Sequence, residues 1–511
     1  MVESRTKNSS KNIMFSSFSA AFIFLLNYAT RIIFVRFLDA SYLGINGLFT
    51  DIISILSMAD LGIVTAMMFS LYKPLMEKDE KKITQLVSFF KKIYNIIAIV
   101  VLLLGLLLVP FLKLIINLEN DISHIYIYYL LFLFETVLSY LFVYRTTLLN
   151  ADQKNYVLVK WNMLIQVSRF VFRIVVLILF KNYILYILIG VIINLIGNFI
   201  QNKVAYKYYP FLKIKQEELS SAEKKEVFSN VKSTFIYKLC SVLQTNSSSI
   251  IISIFVGTIV VGYYSNYLLV VNAITSLITL VFSSIKSSVG NFLVEGKTSE
   301  EKNKLFNALE LIAFWIVSFC SIAFYVLFDD FILISYGNEY IFSKEILILI
   351  IVNFYTSNIR QNVWTFRETT KIFHKTKYFS LVTTIVNIIL SIILGKMFGL
   401  FGILLSIIIS KMIYSFWKET IILYKDVLKN NPTKYFVNFI LRVLLTTLLC
   451  ILIDIICNLV KINNIYFSFL YKILIVSIVP NLLYLIIYFK NKDFKFILNK
   501  IKYLVKSRGN V

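Results

Sequence analysis

Histidine and cysteine are nearly missing from this chain, with two and four copies among 511 residues. His124 and His374 fall at the ends of apolar stretches that belong to opposite sides, so they supply neither a metal site nor a catalytic pair. Cys240, Cys320, Cys450 and Cys457 all lie inside apolar stretches, where cysteine acts as a small hydrophobe, and their spacing offers no metal-ligand or disulfide framework. Acidic residues are also scarce, 28 against 52 Lys and Arg, which leaves a formal net charge of +24. No GxxxxGK[ST] loop is present to cradle nucleotide phosphates. The first apolar stretch carries Arg31, is too long for a cleaved signal peptide and lacks a small-residue cleavage pattern, so it is expected to stay as a helix.

What the chain has is apolar length. Stretches of at least about 18 mostly apolar residues fall near 13–37, 43–70, 93–112, 124–148, 157–180, 183–202, 234–256, 258–285, 305–328, 344–366, 378–395, 400–424, 435–460 and 465–489. With a cytoplasmic N-terminus, the N-tail, the loops after even-numbered stretches and the C-tail hold about 40 of the 52 Lys and Arg. That asymmetry predicts a multi-pass membrane protein with both termini cytoplasmic. The cations are spread as loop-end clusters such as Lys203, Lys207, Lys213 and Lys215, a pattern of topology signals touching anionic lipid and not of nucleic-acid binding.

The sequence also repeats. At an offset of 218 residues, FLDASYLGINGLF (37–49) lies on FVGTIVVGYYSNY (255–267), matching Phe37 with Phe255 and Gly44 with Gly262, and LMEK (75–78) lies on LVEG (293–296). At an offset of 222, Arg145 falls on Arg367 and Tyr156 on Tyr378. The agreement in order predicts a duplication. The expected fold is an all-α polytopic membrane protein of about 14 transmembrane helices, with two homologous six-helix lobes around a central cleft plus two extra C-terminal helices. The expected divisions are an N-lobe at 1–202, a cytoplasmic linker with a surface-lying helix at 203–232, a C-lobe at 233–424, helices 13 and 14 at 425–489 and a basic tail at 490–511. Segments 73–92 and 291–306 read as interfacial helices.

Charges inside the stretches are the candidate site, because a Lys or Arg at a helix centre costs roughly 2.5–3.5 kcal/mol in lipid and must face protein or water. Glu135 and Arg169 lie at matching depth and are expected to pair, and Arg31 and Asp51 also lie level with one another. A second tier comprises Asp60, Lys238 and Arg360. Polar stripes at helical spacing run through Asn162, Gln166, Arg169 and Arg173, through Lys238, Ser241, Thr245 and Ser248, and through Asn353, Ser357, Arg360 and Arg367. Such stripes either line a wet face or form seams between helices. Within the stretches, the cations Arg31, Arg169, Arg173, Lys238 and Arg360 outnumber Asp60 and Glu135, which predicts an electropositive cleft for an anionic cargo. Guanidinium suits phosphate because its fork of donors meets two oxygens at once.

From Tyr28 to Ile83, through YLGINGLF, ADLGI and LYKPLMEKDE, the sequence resembles bacterial polysaccharide repeat-unit flippases of the multidrug, oligosaccharidyl-lipid and polysaccharide exporter superfamily. The resemblance implies alternating-access translocation of an undecaprenyl-diphosphate-linked oligosaccharide from the cytoplasmic to the outer leaflet, for capsule or other surface polysaccharide. It implies no cofactor, with Asp60 or Glu135 as candidate couplers to protons or sodium. Membrane lipid, a polysaccharide polymerase and glycosyltransferases are the implied partners, and nucleic acid is not. The added last two helices are implied to form a groove for the lipid tail. The competing readings are a peptidoglycan-precursor flippase, a cation-coupled multidrug exporter, and a membrane-embedded polymerase or ligase. The drug exporter would present carboxylates to cationic cargo, and the enzyme would carry a large outer loop, whereas the outer connections near 113–123 and 329–343 are short.

Overall fold

The computed structural model describes residues 5–499 except 61, 119–121, 215–217, 296 and 371, so the end of the expected basic tail and the middle of the expected linker lie outside the described residues. Among the described residues there is no strand. The chain divides into two compact units, Met1–Ser265 and Asn266–Val511, and the boundary falls inside a single helix.

The first unit runs through α1 (Arg5–Phe37), α2 (Ala40–Leu56), α3 (Ile63–Glu77), α4 (Glu80–Leu108), the single turn α5 (Leu112–Ile115), α6 (Ile125–Tyr140), α7 (Val143–Ala151), α8 (Asn155–Phe180), α9 (Tyr183–Tyr208) and α10 (Ser221–Phe255), and into α11 (Thr258–Val294). Side-chain caps fix several starts: Asp39 accepts from Ser41 N before α2, Asp79 from Lys82 N before α4, and Asn182 from Leu185 N before α9. Between α2 and α3 the chain tightens into a 3-10 turn at Ser57–Asp60, and Gly62 takes φ +94°, a conformation that a side chain resists. Asp60 and Gly62 of the ADLGI stretch therefore mark a helix break.

Two readings of surface segments change. Residues 80–92 and 299–306 are not separate interfacial helices but the opening turns of α4 and of α12 (Ser299–Ser335). No proline interrupts either run, and the Thr298–Glu301 capping box starts α12 where the polar segment begins. Likewise, a Ser220–Glu223 capping box starts α10, which then continues unbroken for 35 residues.

The second unit completes α11 and adds α12, α13 (Lys344–Asn358), α14 (Gln361–Thr369), α15 (Phe373–Ser410), α16 (Phe416–Leu423), α17 (Thr433–Leu459) and α18 (Ile465–Tyr488). α15 turns back at Gly399, and π-helical turns at Lys411–Ser415 and Tyr424–Leu428 flank α16. α12 is its central helix, packed by α13, α14, α17 and α18. Phe306, Val363, Phe366, Leu423 and Tyr435 form an apolar core there.

Among the described residues nine helices are long and apolar enough to cross a membrane alone, and α6 with α7, bent by 49°, makes a tenth. Each of the fourteen expected stretches falls on helix. The lower number arises from the α2–α3 and α13–α14 breaks, from residues 378–428 counting once although the run turns back at Gly399, and from the polar content of α10. Outward-facing apolar side chains such as Leu114, Leu459 and Ile486 are 73%, 74% and 73% exposed, as a lipid-facing surface requires.

The duplication shows in the helix breaks. α6 and α7 part at Leu141–Phe142, and α13 and α14 part at Ile359–Arg360, which is the 218-residue offset of the sequence matches. The paired glycines also meet: a Cβ on Gly262 would stand 2.8 Å from the backbone nitrogen of Gly44, so α2 and the start of α11 approach more closely than any side chain permits.

Candidate functional site

A polar cavity of about 530 Å³ opens among α2, α6, α8 and α9 of the first unit. Asp60, Glu135, Arg169 and Arg173, all singled out by intramembrane charge, line it. A second cavity of about 290 Å³ shares Ser57, Asp60 and Thr136 with the first.

Each wall follows from local sequence. On α2, Asn46, Thr50 and Ser54 recur every fourth residue and so share one face. Thr50 and Ser54 donate to the carbonyls of Asn46 and Thr50 at 2.7 and 2.8 Å, which commits their protons to the helix and leaves acceptor oxygens toward the cavity. On α6, Glu135 accepts a hydrogen bond from Asn194 of α9 and stands 3.9 Å from Arg169 Nη2 of α8. One turn along α8, the Arg173 guanidinium lies over the Tyr186 ring at 4.4 Å. It fits because α9 carries Gly190 opposite, where a Cβ would stand 2.9 Å from Arg173 Cζ.

Asp60 and Glu135 offset the formal charge of Arg169 and Arg173, but they do not satisfy the guanidiniums: Glu135 stands 3.9 Å from Arg169 Nη2, the outer limit of an ion pair, and the Nε atoms of both arginines are buried without a hydrogen-bond partner among the described residues. A buried unsatisfied donor costs about 1–3 kcal/mol, more for a charged group. An anion with several acceptor oxygens would relieve both.

Asp60 sits in the 3-10 turn ahead of Gly62, so the helix break places its carboxylate at the junction of the two cavities. Lys238 of α10 lies within electrostatic reach of Asp60 and donates to Thr65 Oγ1 at 2.7 Å. Arg31 donates to Ser265 Oγ, and Asp51 is hydrogen-bonded to Ser249, so the level pair expected from depth is engaged with hydroxyls of other helices. The Glu135–Arg169 pair is present as expected.

Arg360 is placed differently. It is 5% exposed, at the break between α13 and α14, and donates to Glu419 at 2.5 Å and to the Ser415 carbonyl at 3.2 Å. Arg367 reaches the other oxygen of Glu419 at 2.9 Å, and Glu419 is itself 3% exposed. The other members of that stripe, Asn353 and Ser357, accept from Lys411 at 2.8 and 2.7 Å. In the second unit the stripe on α13 and α14 is thus a seam to the neighbouring helix.

The charge count from sequence passed over Glu310, Glu419, Lys411 and Arg442, all of which lie in apolar stretches. Glu419 pairs with both Arg360 and Arg367, while Glu310 stands 3.7 Å from Arg442. Their helical depth was readable, but which helices abut was not. The Asn46–Thr50–Ser54 spacing was a readable signal for the α2 wall. Among the described residues no group of His, Cys, Asp and Glu is arranged to hold a metal ion.

Broken membrane-length helices around a polar, cation-lined cavity define a membrane transport fold. Solved structures agree on the fold. The lipid II flippase MurJ in an inward closed conformation aligns with a TM-score of 0.69 at 17% identity, over 94% of this chain and 99% of that one. An inward-facing multidrug resistance MATE family transporter of the MOP superfamily aligns with a TM-score of 0.53 at 15% identity, over 76% and 91% of the two chains. The Vibrio cholerae MATE transporter VcmN gives 0.52 at 11% identity, over 84% and 99%. No curated protein matches by sequence. The chain belongs to the polysaccharide biosynthesis protein family, whose sequence pattern matches residues 9–285.

Proposed function

We propose that this protein is a carrier, not a catalyst, that flips undecaprenyl-diphosphate-linked oligosaccharide repeat units from the cytoplasmic to the outer leaflet by alternating access, for capsule or another surface polysaccharide. The observation that carries the reading is the first-unit cavity, where Arg169 and Arg173 hold buried Nε donors with no hydrogen-bond partner among the described residues. A diphosphate is the anionic handle that such donors suit. The sugar is polar and needs the wet Asn46–Thr50–Ser54 face, while the polyprenyl tail stays in lipid.

Both termini are proposed to be cytoplasmic and the membrane to be a bacterial plasma membrane, as the Lys and Arg distribution supports. Moving negative charge outward down an inside-negative potential contributes about 2.3 kcal/mol per charge per 100 mV, a driving force that needs no nucleotide. Asp60, held near Lys238 at the helix break, and Glu135 are the proposed couplers to protons or sodium. A polymerase and glycosyltransferases are the proposed partners.

Depletion of the protein tests the reading, with the lipid-linked oligosaccharide located by an impermeant reagent on intact cells beside inverted vesicles. Complete units trapped on the cytoplasmic leaflet support it. Complete, unpolymerised units already outside would move the function to polymerisation or ligation. The fold likeness to a lipid II flippase favours a peptidoglycan precursor as the second reading. The glycan on the trapped lipid decides between the two.

A further inference from the structure

The second unit holds a cavity of its own, about 300 Å³, where the start of α12, the loop after the second π turn and the start of α17 meet. Its loop wall is fixed in place: Asn303 donates to the Leu428 carbonyl at 2.9 Å, and Asn430 donates to Asn303 at 3.1 Å. Two carboxylates, Glu310 and Asp493, stand against two cations, Lys434 and Arg442, so the lining is charge-balanced. Asn307 and Asn438 add amides that both donate and accept. The hydroxyl of Tyr435 is the telling group. Tyr435 is 4% exposed and lines the cavity, yet its Oη is buried with no hydrogen-bond partner among the described residues. Its donor and acceptor are both unused at the cavity wall.

We propose that this cavity is a saccharide-binding site, distinct from the anion site of the first unit. The dense alternation of donors and acceptors in the lining rejects an apolar guest. The ligand chemistry that matches is a neutral molecule whose every hydroxyl both donates and accepts. The volume lies at the lower edge for small-molecule pockets, which suits a short glycan. Under the orientation proposed above, this end of the unit faces the cytoplasm, where either the glycan of the lipid carrier or a free saccharide can reach it. That placement rests on the proposed function, but the binding chemistry does not.

The test uses the full-length protein in nanodiscs with maltose and chitobiose as soluble neutral probes, read by saturation-transfer NMR, and in parallel a lipid-linked disaccharide. No translocation is measured, so a failure here leaves the flippase reading standing, and a failure of translocation leaves this site standing. The expected result is saccharide binding that Tyr435→Phe weakens about fivefold, the equivalent of one hydrogen bond, and that Asn438→Ala also weakens. Tyr435→Phe keeps the buried ring and so preserves folding. Binding of the soluble sugars would establish a site for free saccharide, and binding of the lipid-linked sugar alone would assign it to the carrier's glycan. Binding that ignores both substitutions, competition by sugar phosphates but not by neutral sugars, or no binding of either probe would overturn the proposal.

Discussion

Replacing Glu419 by Gln should damage folding far more than any other single charge removal inside the apolar segments. Glu419 accepts from Arg360 at 2.5 Å and from Arg367 at 2.9 Å, and the three residues are 3%, 5% and 2% exposed. Gln keeps the shape but removes the only negative charge in the triad, leaving two buried guanidiniums without the carboxylate they share. Breaking a buried pair in this way costs about 3–5 kcal/mol. The cost belongs to the orphaned cations and not to the value of the bridge. The triple variant Arg360→Met, Arg367→Met, Glu419→Leu should therefore cost less than Glu419→Gln alone, because apolar replacement of a whole buried ion cluster is often neutral. Equilibrium unfolding in mixed micelles gives both values. A loss below about 1 kcal/mol for Glu419→Gln, the scale of an exposed pair, or a triple variant worse than the single one, would refute the reasoning.

Gly262→Ala should force α11 from α2, because the added methyl meets the Gly44 backbone, which cannot rotate away. A loss of about 1–3 kcal/mol is expected from overpacking, and an unchanged unfolding midpoint would contradict it. Outside the membrane, Glu218 is held at about 2, below the ordinary 4.5, by hydrogen bonds from Lys92 and then Lys224, and Glu223 at about 2 by Lys82 and then Ser220. Carboxylates depressed in this way stabilise the fold above about pH 4.5 and lose that contribution as pH falls toward 2. Hydrogen exchange at the start of α10 should accordingly rise over that window and with added salt, since these pairs are exposed. Exchange flat in both pH and salt would show that the clasp does not hold the segment.

The order of helices was legible because apolar length and alternating loop charge are composition-level signals that survive any packing. The 218-residue offset was legible for a similar reason: the paired glycines, Gly44 and Gly262, are needed for one close approach. Glu135 and Arg169 were found because each is costly in lipid and their depths agree along antiparallel helices, Arg173 because it continues the Arg169 stripe, and Asp60 as a charge of the second tier. Arg360 shows where depth fails. Depth places it level with Asp60 and Lys238, but Glu419 on α16 of its own unit pairs with it. Contacts of that kind depend on which helix faces which, and a sequence read one helix at a time does not contain that. The role of Gly190 was hidden for the same reason, since its value is the space it leaves for Arg173 on another helix.

The central claim is that the first-unit cavity receives a lipid diphosphate through Arg169 and Arg173. Its most direct test is translocation of a short-chain lipid-linked diphosphate oligosaccharide in proteoliposomes containing the Arg169→Gln, Arg173→Gln double variant, with folded protein matched to wild type by size-exclusion profile. The account predicts a loss of roughly tenfold or more, equivalent to at least one charge-assisted hydrogen bond of about 1.5–3 kcal/mol. Translocation at the wild-type rate by a correctly folded double variant would contradict it and leave the two arginines as helix staples.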